Sequence, residues 1–155
     1  MRTNHLRKLA GLDLFADCTR RQLRLIDSSS TMIEVEAGRT LCREGAIGNE
    51  FFVIVEGAVT VSRDAGMLAS LCDGDWFGET ALSSGSRRSV ATVETAVPSR
   101  LLVFTGREFR QVVNACPFIE QRVAASVFPV ARSVFRRAAD GSRFTRVSGV
   151  PGWST

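Results

Sequence analysis

The amino-acid sequence predicts a mainly β fold with flanking helices: an eight-stranded antiparallel β-roll, jelly-roll-like, with an N-terminal helix and a C-terminal helix pair. Three observations carry this. Short alternating or apolar runs follow one another from Thr31 to about Thr105, each closed by turn residues. Thr19 with Gln22, and Thr105 with Glu108, have the spacing of capping boxes on either side of that stretch. Beyond Pro117 the apolar residues recur at helical spacing.

Taken in order, residues 1–30 form a helical segment, with Leu23, Leu25 and Ile26 behind the first capping box and Ser28-Ser29-Ser30 ending it. Met32–Glu36 partly alternates, Ala37-Gly38 punctuates, and Thr40–Cys42 follows. Phe51–Val55 is a continuous apolar run, so it predicts a buried strand. Glu56-Gly57 closes it, and Ala58–Ser62 alternates again. Asp64-Ala65-Gly66 predicts a hairpin connection to Met67–Leu71. Val90–Thr95 and Arg100–Phe104 are two further strands, divided by Val97-Pro98-Ser99. Residues 106–140 are the C-terminal helices. Pro117 suits a first helical turn, and Pro129 should kink the last helix by removing one backbone hydrogen bond. Residues 141–155, with Gly149, Pro151 and Gly152, read as a loose tail. The whole is one domain, its roll spanning residues 31–105.

Composition narrows the function classes. Of the 155 residues, 45% are hydrophobic and 23% charged, an ordinary globular balance. No apolar run approaches the roughly 18 residues of a membrane span, and the N-terminus lacks a signal-peptide core, so a cytoplasmic protein that does not enter the membrane is expected. Cys18, Cys42, Cys72 and Cys116 are far apart and form no CxxC pair, so they predict buried thiols and no metal site. His5 is the only histidine, which leaves little for acid–base, His-assisted nucleophilic or metal-assisted catalysis; a small metal-dependent β-barrel enzyme would need several. No catalytic residue is assigned. The net charge of +4 rests on arginine, Lys8 being the single lysine, and we read most of that as composition bias.

The chemistry concentrates in Asp73-Gly74-Asp75-Trp76-Phe77-Gly78-Glu79-Thr80-Ala81-Leu82-Ser83-Ser84-Gly85-Ser86-Arg87-Arg88-Ser89-Val90-Ala91-Thr92-Val93. Gly78 lets backbone N–H groups approach a ligand closely. A helix starting near Glu79 would present unpaired N–H groups and a positive dipole end, which suit an anion. Arg88, ten residues beyond Gly78, supplies a planar fork of donors matched to phosphate oxygens. An ionised Glu79 only accepts hydrogen bonds, so a sugar hydroxyl is its natural partner beside an anion. Phosphate plus sugar hydroxyl means a nucleotide. The aromatic residues Trp76, Phe77, Phe128 and Phe135 read as core or pocket wall by default, with Phe77 a candidate ligand contact and the last two candidate base caps.

This segment resembles the phosphate-binding cassette of the cyclic-nucleotide-binding domain family, found in protein kinase A regulatory subunits, catabolite-activator-type regulators and cyclic-nucleotide-gated channels. The family pattern is F-G-E, an aliphatic residue, A-L, a short loop, P-R and a strand such as A-T-V. Phe77-Gly78-Glu79, Ala81-Leu82, Arg88 and Ala91-Thr92-Val93 match it. Gly38, Gly45 and Gly57 fall where the family places turn glycines, and the likeness runs from about Leu9 to Ala139. The resemblance implies a ligand site of Gly78, Glu79, Thr80, Ala81, Arg88 and Ser89, with Arg87 and Phe77 as further candidates. Glu79 would accept the ribose 2′-hydroxyl, Arg88 would pair with the cyclic phosphate, and Ser89 would offer its N–H and hydroxyl. Three departures stand out. Arg87 replaces the proline, Thr80 replaces an aliphatic residue, and one additional residue lies between Arg88 and Ala91. In a strand of period two, one additional residue would turn every following side chain to the other face.

The function expected is a non-catalytic sensor of cyclic AMP or cyclic GMP, a stand-alone, bacterial-type member of the family, with no resident cofactor. The alternative is the same fold without the ligand, serving as a protein-interaction module. About fifteen residues follow the last expected helix, too few for a helix-turn-helix domain, so direct DNA reading is not expected. The sensor would then act through a separate protein partner or through self-association, for which the C-terminal helix is the candidate dimer surface.

Overall fold

The computed structural model describes residues 2–64, 66–78 and 88–125. Helix α1 spans Arg2–Ala10, a 3-10 turn Asp13–Phe15 and helix α2 Arg20–Ser28. Eight strands follow among the described residues: β1 Thr31–Val35, β2 Thr40–Cys42, β3 Glu50–Glu56, β4 Ala58–Arg63, β5 Gly66–Cys72, β6 Trp76–Phe77, β7 Thr92–Thr95 and β8 Ser99–Thr105. Helices α3, Gly106–Ala115, and α4, Pro117–Ala125, close the described chain. The strands make two four-stranded sheets, ordered β1-β8-β3-β6 and β2-β7-β4-β5, and every named pair is antiparallel. The expected mainly β roll with flanking helices is the fold observed.

Both capping boxes form. The Thr19 hydroxyl accepts from the Gln22 N–H at 3.1 Å, and the Thr19 N–H donates to Gln22 Oε1 at 2.8 Å. Thr105 and Glu108 repeat this at 3.1 and 2.9 Å. Each box satisfies two backbone donors, one in the first helical turn and one on the cap itself, and so fixes where the helix starts.

Strand β3 sets the layers. Phe51 to Val55 are all buried, and the period of two divides them between two cores. Phe51, Val53 and Val55 face the helices, packing with Leu9, Phe15, Ile26, Phe104 and Ile119. Phe52 and Ile54 face the second sheet, packing with Val59, Val61, Leu71, Val93 and Leu101. Aromatic contacts tie the helical layer down. Phe109 of α3 stacks on Phe51 with centroids 4.3 Å apart, and Phe15 meets Phe104 edge-on at 6.5 Å.

Two sequence expectations are refined. The shortest strand, Trp76–Phe77, pairs with β3 through only two residues, too few for any periodicity to mark it. Strand β7 begins at Thr92 rather than Val90. Pro129, Phe128, Phe135 and the expected tail 141–155 lie outside the described residues.

Gly57 sits at φ +126°, and a Cβ there would fall 2.2 Å from the Ser99 hydroxyl oxygen. Gly38 has φ +84° but open space around it. We predict that Gly57→Ala destabilises the fold by about 3 kcal/mol, strain and steric overlap combined, and that Gly38→Ala costs about 1 kcal/mol from backbone conformation alone. Urea unfolding of both variants checks the difference; equal losses would contradict it.

Candidate functional site

The site is assembled where the two sheets come together beside the turn 73–75. That turn carries the chain from β5 in one sheet to β6 in the other, with Gly74 at φ +88°. Its carboxylates hold backbone: Asp73 Oδ1 accepts from the Gly57 N–H at 2.9 Å and Asp75 Oδ2 from the Cys72 N–H at 2.9 Å. The Ile54 N–H donates to the Asp75 carbonyl at 2.8 Å, locking the turn to β3. Two residues of β6 then deliver Gly78.

Gly78 has φ +99°, and a Cβ there would lie 2.4 Å from the Glu50 carbonyl oxygen. Its small size is therefore required by the approach to β3, as well as by any ligand. Phe77 is buried and stacks on Phe52 with centroids 4.7 Å apart and planes 11° apart. It backs the wall that Phe52 provides and does not itself line the cavity.

On the far side, residues 88–92 zip against the loop after β2. The Gly45 N–H donates to the Ser89 carbonyl at 2.8 Å, and the Ser89 N–H donates to the Ala46 carbonyl at 2.9 Å. Ile47 and Arg88 form an antiparallel bridge, and the Glu44 N–H donates to Thr92 Oγ1 at 3.0 Å. A bend at 90–91 precedes β7. In strand β7 Val93 and Thr95 are buried and Glu94 is exposed.

Between these walls lies a cavity of about 280 Å³, lined by β2 residues 40–42, loop residues 43 and 46–49, and by Glu50, Phe52, Gly78 and Ser89. Its volume is near the small end of ligand sites, roughly 300 Å³ upward. Of the residues named from the sequence, Gly78 and Ser89 meet in it. Arg88 is exposed beside it, its Nη1 donating to the Gly45 carbonyl at 2.6 Å. The Ser89 amide is committed to Ala46, so the hydroxyl is what that residue can offer. Glu79, Thr80, Ala81 and Arg87 lie outside the described residues.

Sequence reasoning missed the opposite wall, Thr40 to Glu50. The signal present was the pair Gly45 and Gly48 around an exposed Ile47, a loop with an apolar residue that no core claims. His5, the only histidine, is on α1, 3.5 Å from Asp27 through Nδ1. Among the described residues, no group of three His, Cys, Asp or Glu is placed to hold a metal, and no helix is long and apolar enough to cross a membrane.

Two antiparallel four-stranded sheets with flanking helices, and a cavity between Gly78 and Ser89, define a β-roll class. The profile of the cyclic nucleotide-binding domain family matches residues 32–116, more than half of the chain, so this protein belongs to that family. A cyclic nucleotide-gated potassium channel of Rhizobium etli is 39% identical over 57% of the chain and 24% of its own length. A cAMP-dependent protein kinase regulatory subunit of Schizosaccharomyces pombe is 33% identical over 68% of the chain and 24% of its own length. The chain thus spans about a quarter of either relative. Among solved structures, one described as cAMP-bound PfPKA-R aligns with TM-score 0.75 at 20% identity, over 89% of this chain and 47% of that one. A PKAR CBD2 bound to Sp-2Cl-cAMPS aligns at 0.71 and 19% identity, over 93% and 94%. At such identities these two structures establish the fold.

Arg88 is exposed, so Arg88→Ala should leave stability within about 1 kcal/mol. Gly78→Ala should lose about 2–3 kcal/mol, because β6 and β3 must separate to admit the Cβ. Parallel urea titrations check both; a stable Gly78→Ala protein would refute the packing reason for that glycine.

Proposed function

We propose that this domain is a non-catalytic sensor that binds cyclic AMP or cyclic GMP in the cavity between Gly78 and Ser89. The observation that carries it is the meeting of Gly78 and Ser89 in one cavity, with the neighbouring Arg88 guanidinium held on the Gly45 carbonyl. In this reading Arg88 leaves the Gly45 carbonyl and takes the cyclic phosphate. The exchange is favourable, since a guanidinium gains more from an anionic phosphate, which it can meet with two parallel N–H donors, than from one neutral carbonyl. Glu79 accepts the ribose 2′-hydroxyl, the Ser89 hydroxyl adds a phosphate or base contact, and Phe52 with Ile47 gives apolar surface at the cavity. Thr80 and Ala81 complete the cassette, and Arg87 stays outside it.

A sensor needs two arrangements that bind the ligand unequally. The helical layer, which packs on β3 and β8, is where we place that difference, with output through a protein partner or a second copy of the chain. The Arg88 contact with Gly45 also fits the other reading, an interaction module in which this arginine serves the loop and no nucleotide binds.

Calorimetric titration with both cyclic nucleotides separates the two. The sensor reading expects Arg88→Ala to lose about 2–5 kcal/mol of binding, roughly 30-fold to several thousand-fold. Arg87→Ala should lose less than about 1 kcal/mol. Glu79→Gln should fall between, at roughly 1.5–3 kcal/mol, with weakened discrimination against a 2′-deoxy ligand. Equal losses for the two arginine variants would overturn the site assignment, and no binding by the wild type at millimolar ligand would overturn the sensor.

A further inference from the structure

The helical layer carries a pair of thiols that the nucleotide reading leaves unused. Cys18 sits in the turn between Phe15 and Thr19, and its N–H donates to the Phe15 carbonyl at 3.1 Å. Cys116 is the junction of α3 and α4: it is fully buried, has left helical geometry at φ −134° and ψ 74°, and donates its N–H to the Val112 carbonyl at 2.8 Å. The chain is tied across this point on both sides. Gln22 Nε2 donates to the Ala115 carbonyl at 3.3 Å. Arg122 Nη1 donates to the Asp13 and Leu14 carbonyls, both at 3.1 Å, and its Nη2 pairs with the Asp17 carboxylate. Between these clamps, half-buried Cys18 packs on the cluster that contains Cys116.

We propose that Cys18 and Cys116 form a reversible disulfide that staples the turn before α2 to the α3–α4 junction. Both residues stand at element ends, where the movement on the order of 1–2 Å from thiol contact to an S–S bond of about 2.05 Å is absorbed without unwinding a helix. A hydroperoxide supplies the oxidant. The Cys18 thiolate, the more exposed of the two, attacks a peroxide oxygen of hydrogen peroxide, giving a sulfenic acid and hydroxide, which takes up a proton as water. The Cys116 sulfur then attacks the Cys18 sulfur, expelling the sulfenic oxygen as a second water. Two thiols lose two hydrogens and two electrons, and one peroxide is reduced to two waters. A dithiol reductant reverses the bond by exchange. Two neighbouring thiols, one half-buried and one buried, are slow to ionise. Burial first, then the neighbouring Cys116, push the Cys18 thiol up to about 12, and burial raises Cys116. The staple is therefore set by sustained oxidation rather than by a brief pulse.

The test needs no nucleotide. The full chain is treated with hydrogen peroxide, denatured, and labelled with N-ethylmaleimide. Labelling should fall from all four cysteines to two, with intact mass lower by two hydrogens before labelling and one tryptic cross-link joining Cys18 to Cys116. The melting temperature should rise by roughly 10 °C, because the cross-link closes a loop around the whole roll. Dithiothreitol should restore both values. The rate of thiol loss should climb about tenfold per pH unit from pH 7 to 9, following the thiolate fraction. Cys18→Ser should neither cross-link nor gain melting temperature, and the peptide map of the wild type stands without any variant. A cross-link through Cys42 or Cys72, a bond between two chains, or four intact thiols after treatment would overturn the proposal.

Discussion

Burial of β3 on both faces is the constraint on which the rest of the molecule depends. Glu50–Glu56 lies between β8 and β6, and alternate residues of its five-residue apolar run belong to different cores. Each large apolar side chain contributes about 1.5–3 kcal/mol on burial, so the run rewards covering both faces at once. One face must meet the second sheet and the other the helices. A single-layer sheet would leave half of this run in water. The β-sandwich and the helical layer are two consequences of one stretch of sequence.

That constraint also explains where the cavity lies. Crossing between sheets requires tight turns, and the turn 73–75 achieves this with a left-handed glycine flanked by two carboxylates that cap backbone donors. It delivers β6 against β3 so closely that Gly78 can carry no side chain. The loop after β2 is zipped to Arg88–Ser89 from the other sheet. A hollow is left where the two sheets are joined by loop rather than by packed side chains. Arg43 and Glu50 are among the residues that line it, and Arg88 stands beside it on the Gly45 carbonyl.

The helices are fastened to this roll by a shared apolar core and by specific contacts at its edge. Phe109 on Phe51 and Phe15 on Phe104 anchor one side, while Arg122 and Gln22 join the N-terminal turn to α3 and α4. These joining contacts are mostly exposed, so each contributes modestly and can be exchanged.

Much of this was legible in the chain. The two capping boxes are local, needing only residues three apart, and both form as the spacing predicts. Phe51–Val55 announced a buried strand because no amphipathic alternative fits a continuous apolar run. The segment ends Phe77-Gly78 and Arg88-Ser89 were legible because they match the family's short pattern of residue types. Other features depended on partners distant in sequence. Two residues of β6 become a strand only because β3 offers an edge. The start and facing of β7 depend on its pairing with β2 and β4, because strand register is decided across strands. The opposite wall at Thr40–Glu50, the commitment of the Ser89 amide to Ala46, and the meeting of Cys18 with Cys116 all join residues far apart in the chain. Local sequence determines the conformations that a segment favours by itself. Which segments meet, and which polar groups are already spent when they do, is decided only by packing the whole chain into one core.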